Sequence, residues 1–152
     1  MKSIKPSLFG CKLSWAIFLL VFAPLGANAA NCTVETALPQ NQQQIGSGSA
    51  IAGRDGVTTA KGDQVVYVKV TNQNVLGVSY TVSIAPDATP PTEICSYSAI
   101  LLPKTTVILS GALFAQPPIG WKVTVSVGDE SDAGVLTYTV HSLKPAPKQT
   151  PK

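Results

Sequence analysis

The chain has one histidine, one methionine and three cysteines in 152 residues, and only 12% of it is charged. Each scarcity removes a class of chemistry. His141 is the only imidazole available as a base, a nucleophile or a metal ligand, so a Ser-His-Asp site would have to be built around that one position. No two cysteines stand in a CxxC spacing, which argues against a redox pair or a thiolate metal site. No apolar run reaches the roughly 18 residues that a membrane-spanning helix needs. No basic cluster offers itself to nucleic acid, and no amphipathic helical stretch of any length is present.

The first 29 residues are well defined by contrast. Lys2, Lys5 and Lys12 precede the apolar run Leu13 to Ala23, and Ala27-Asn28-Ala29 closes it. A basic start, a short apolar middle and a small-x-small end are the pattern of a secretory signal peptide. The run is too short to span a bilayer, and Pro24 and Gly26 end it, so a mature chain beginning near Ala30 is expected in the periplasm or outside the cell. Cys11 precedes the apolar run, whereas a lipid-attachment cysteine would come after it. The leader contains no arginine, which argues against twin-arginine export. Asn31-Cys32-Thr33 matches the N-glycosylation pattern but is read as chance.

Removing the leader changes the charge. Three of the 11 basic residues leave with it, and eight then balance eight acidic ones. Cys11 leaves too, so Cys32 and Cys95 stand as an even pair in an oxidising compartment, where a disulfide between them is expected. Closing a loop of about 64 residues would restrict the unfolded chain by roughly 4 kcal/mol.

Alternation of apolar and polar residues dominates the mature chain. Val66, Val68 and Val70 share one face, with Val65, Tyr67 and Lys69 on the other; Val78, Tyr80, Val82 and Ile84 alternate with Ser79, Thr81 and Ser83. Trp121, Val123, Val125 and Val127 repeat the pattern, as do Leu136, Tyr138 and Val140. Period two predicts β-strands. Asn72 to Gly77 is expected to turn between the first two, and Gly128 to Gly134 to form a hairpin loop between the last two. Val57 to Ala60, Cys95 to Leu101 and Thr105 to Leu109 are further strand candidates. About seven short strands separated by turn signals predict an all-β domain over residues 50–143, a two-layer antiparallel β-sandwich of immunoglobulin-like architecture. A closed barrel is the alternative.

Residues 30–49 are expected to form an N-terminal extension and flexible connector, because glutamines 40 and 42 to 44 run into Gly46-Ser47-Gly48-Ser49. Residues 144–152, with three prolines and three lysines, are expected to be a disordered tail.

Candidate sites are few. Asp129, Glu130 and Asp132 are weak calcium candidates, because carboxylate oxygens bind that ion, but their spacing fits no calcium loop and solvation of a hairpin tip explains them as well. No cofactor is expected. His141 shares the parity of Thr137 and Thr139 and is expected to point outward into solvent. Val107, Ile108, Leu109, Leu113 and Phe114 lie in an uncharged run that fits either a strand buried on both faces or an edge offered to a partner. The leading expectation is an exported non-catalytic binding module for a protein or glycan, without nucleic acid and without a membrane span. A self-assembling, fimbrial-type structural subunit is the alternative, and a small hydrolase using Asp129, Glu130 or His141 is the third.

Overall fold

The computed structural model describes residues 30–89, 92–113, 119–128 and 134–144. The expected leader and nearly all of the expected tail lie outside them. Ten strands run in chain order: β1 (Ala30–Asn31), β2 (Thr33–Glu35), β3 (Gln42–Ala50), β4 (Gly56–Gly62), β5 (Val65–Asn72), β6 (Val78–Pro86), β7 (Cys95–Leu101), β8 (Thr106–Ala112), β9 (Ile119–Val127) and β10 (Leu136–Leu143). Among the described residues there is no helix, and hence none long and apolar enough to cross a membrane.

The strands form two five-stranded sheets, ordered β1-β7-β6-β9-β4 and β2-β8-β5-β10-β3. Every pairing between these strands is antiparallel except β1 with β7. The inner faces are the ones the alternation marks. Val66, Val68 and Val70 from one sheet and Val82, Ile84, Trp121, Val123 and Val125 from the other are wholly buried in a single core. Removing that much apolar surface from water is the dominant favourable contribution to the fold.

All seven expected strands are present, but three N-terminal ones join them. Residues 42–49, expected to belong to a flexible connector, join Ala50 in the nine-residue strand β3. The reason is steric. A Cβ on Gly48 would stand 2.4 Å from the Tyr138 hydroxyl oxygen, and one on Gly56 would stand 2.5 Å from that ring. The small residues of β3 therefore make room for a core tyrosine instead of loosening the chain. Its hydroxyl meets Thr58 Oγ1 at 2.9 Å, and Thr58 Oγ1 in turn lies 3.3 Å from the Ser47 carbonyl that accepts from it. Thus β3 and β4 wrap a corner from one sheet to the other.

The strand partners also differ from expectation. β9 and β10 lie in different sheets rather than in one hairpin, and so do β5 and β6; the pairs are β5 with β10 and β6 with β9. Only β6 and β7 are sequential neighbours within a sheet. That order differs from the immunoglobulin one, in which several sequential strands pair.

At the N-terminus the chain changes sheets at Cys32. β1 lies beside β7, β2 lies beside β8, and the Cys32–Cys95 disulfide, with Cα atoms 4.9 Å apart, fixes the crossing. The expected bond is present and its two cysteines are buried.

Candidate functional site

At one end of the sandwich the β5 to β6 and β7 to β8 connections meet Gly134 and Val135, the residues that lead into β10. Their organiser is Asn72, the last residue of β5, which is fully buried. Its side-chain amide donates to the carbonyls of Leu76 (2.8 Å), Leu101 (2.9 Å) and Leu102 (3.2 Å). Its Oδ1 accepts from the backbone N–H and the side-chain amide of Asn74 at 2.9 and 2.7 Å. Asn74 extends the network, donating to the Val135 carbonyl at 2.9 Å. A buried amide with every group satisfied is stabilising and orders what it touches, since leaving any partner unmade costs about 1–3 kcal/mol.

What this polar network holds out to solvent is apolar. Val75 is 79% exposed, Leu76 59%, Ile100 68% and Leu102 63%, with Val135 beside them. Gly77 brings the first loop close to β7, for a Cβ there would lie 3.2 Å from Ile100 Cγ2. Lys104, at φ 57°, closes the second turn and donates its ammonium to the Gln73 carbonyl. Loops that expose aliphatic side chains while their backbone is fixed from below are what a binding surface requires.

A second candidate lies on the outer face of the β5–β10–β3 region. His141 shares the face of Thr137 and Thr139, as its parity requires, but it is buried rather than exposed. The cause is a bulge in β3: Val140 opposes Gly46 while His141 opposes Gln44, leaving Ile45 as the extra residue. Gln42 then reaches the imidazole, with Oε1 2.6 Å from Nδ1, and Thr139 Oγ1 lies 2.7 Å from Nε2. A carbonyl oxygen only accepts, so Nδ1 carries the proton, and in the neutral ring Nε2 accepts from the Thr139 hydroxyl. Burial first, and the ammonium of Lys69 second, hold the imidazole below its ordinary pKa.

This hydroxyl–imidazole–amide series lies on a strand, β10, that is paired on both sides, with β3 and with β5. The adjoining depression, of about 130 Å³, is lined by Lys69, Thr71, Thr137, Tyr138 and Thr139. A larger one of about 250 Å³ on the opposite sheet is lined by Ser83, Ala85, Glu93, Lys122 and Thr124.

Of the other residues singled out in the sequence, Asp129, Glu130 and Asp132 lie outside the described residues, as does Phe114. Among the described residues no group of three histidine, cysteine or acidic side chains stands close enough to hold a metal ion. Val107, Ile108 and Leu109 are in β8, which sits between β2 and β5, and Leu109 is wholly buried while Leu113 packs partly against the core. The alternation pattern does not point to the apolar tip; its one visible sign in the sequence is Val75-Leu76, an apolar pair inside a turn bounded by two asparagines and a glycine.

The chain matches no family model, no curated protein and no solved structure.

Proposed function

We propose that the protein is an exported, non-catalytic β-sandwich module that binds a protein partner through the apolar tip formed by Val75, Leu76, Ile100 and Leu102. The observation that carries this reading is the pairing of four exposed aliphatic side chains with a buried Asn72 network that fixes their backbone. Apolar surface in that setting gains free energy when a partner covers it, and a fixed loop loses little entropy on binding. A protein is favoured over a glycan because aliphatic side chains offer no partners for sugar hydroxyls, which lose their hydrogen bonds to water when covered. Export is supported by the leader pattern and agrees with the disulfide, a bond that persists in oxidising compartments.

The testing experiment compares partner capture by the unaltered protein and by Val75→Asp/Leu76→Asp. Those residues are exposed, so folding should survive the change. Loss of captured proteins at unchanged melting temperature is the expected result; an identical captured set rejects the tip as the binding site. N-terminal sequencing of the protein recovered from its producing cells should begin at Ala30, and a protein that still begins at Met1 contradicts export with cleavage.

A further inference from the structure

The four sheet edges are not alike. β3 carries a bulge and is folded over onto β4; β4 carries Lys61; β2 has only three residues and includes Glu35. These are the usual ways in which an edge is kept from pairing with another chain. β7 has none of them. β1 covers its outer edge only at Cys95 and Ser96, because Cys32 then carries the chain into the other sheet. Among the described residues, no strand pairs with the outer edge of Tyr97–Leu101. That stretch, Tyr-Ser-Ala-Ile-Leu, contains no charge, proline or glycine, and its ladder with β6 runs without a register shift.

We propose that two copies of the protein join edge to edge through β7, antiparallel about Ala99, so that their two five-stranded sheets become one. The occupant is a second copy because the edge is complementary to itself. With Ala99 on the two-fold axis, Tyr97 opposes Leu101, and the exposed Ser98 opposes the exposed Ile100 on the same outer face. The five residues carry no charge, so two copies meet along this edge without like charges opposing one another. On the inner face Tyr80 stays protonated under all ordinary conditions: burial, with Tyr97 beside it, pushes its hydroxyl up to about 12. No charge therefore enters the joined layer from within.

This contact goes beyond the tip reading and shares only Ile100 with it. Sedimentation velocity of the purified protein from about 1 to about 300 μM reads it directly. A dimer whose fraction rises with concentration is expected. Ser98→Lys, which places an unpaired charge on the edge without burying it, should raise the dissociation constant at least ~10-fold while leaving the melting temperature within a few degrees. A monomer at every concentration overturns the contact. So does a dimer indifferent to Ser98→Lys, or one abolished by Leu76→Asp alone, which would place association at the tip.

Discussion

Along one side of the sandwich β3 and β4 turn the corner between the sheets, and Gly48 and Gly56 let the Tyr138 ring lie directly against their backbone. On the opposite side β1 and β2, strands of two and three residues, also pass from one sheet to the other, and a single disulfide at Cys32 holds the crossing. Both sides are built largely from small, uncharged residues. The first is held by packing at Gly46, Gly48 and Gly56, whereas the second is held at one point by a covalent bond and is open along Tyr97–Leu101. The difference shows that composition does not decide whether an edge is sealed. What lies against the edge decides it, and the open side is also the one that leads into the exposed apolar tip.

If the second side depends on its covalent bond, removing that bond should produce the largest loss. Cys32→Ser/Cys95→Ser is expected to cost about 2–5 kcal/mol, read by denaturant unfolding; a loss as small as that of a surface substitution would mean that β1 and β2 hold without it. The packed side should break by overfilling. Gly48→Val drives a side chain into the Tyr138 ring and is expected to cost about 1–3 kcal/mol or more, while Ser98→Val on the open edge should stay within about 0.5 kcal/mol. Equal costs at the two positions would erase the contrast between the sides.

The tip should prove rigid because of one residue. Asn72→Ala removes the donor shared by the carbonyls of Leu76, Leu101 and Leu102, of which Leu102 keeps the Thr105 hydroxyl, and is expected to cost about 1–3 kcal/mol, with faster amide exchange confined first to residues 72–77 and 101–105. Uniformly unchanged exchange would show that the loops are held by something else.

The smallest effect is one of pH. Burial and Lys69 hold His141 below its ordinary 6.5 in the folded protein, so on acidification the unfolded chain takes up its proton first. The contribution of this group to stability is therefore complete above about pH 6.5 and declines as the pH falls below it. His141→Gln should flatten the melting temperature between about pH 7.5 and pH 5.5; the same slope in both proteins would assign it to other groups.

Much of the layering is legible in the sequence, because alternation states which side chains face inward. Val66, Val68, Val70, Val123 and Val125 are buried as their parity requires. Alternation does not state which strand lies next to which, and so the expected hairpins are instead crossings between sheets. β3 reads as a connector because glycine, serine and glutamine look flexible; the ring that requires those glycines belongs to Tyr138, at the far end of the chain. His141 faces the side its parity assigns, but its burial comes from a one-residue bulge in a different strand. The tip is hidden for a similar reason: Val75 and Leu76 are ordinary loop residues until Asn72, buried and bonded to three separate carbonyls, fixes what they present.

The most direct measurement is capture from an extract of the producing cells by three immobilised proteins: the unaltered one, Val75→Asp/Leu76→Asp, and Thr124→Lys in the middle of β9, away from the tip. A specific protein retained by the first and third and lost from the second is the predicted result. The same proteins retained by all three would contradict the tip as the binding surface.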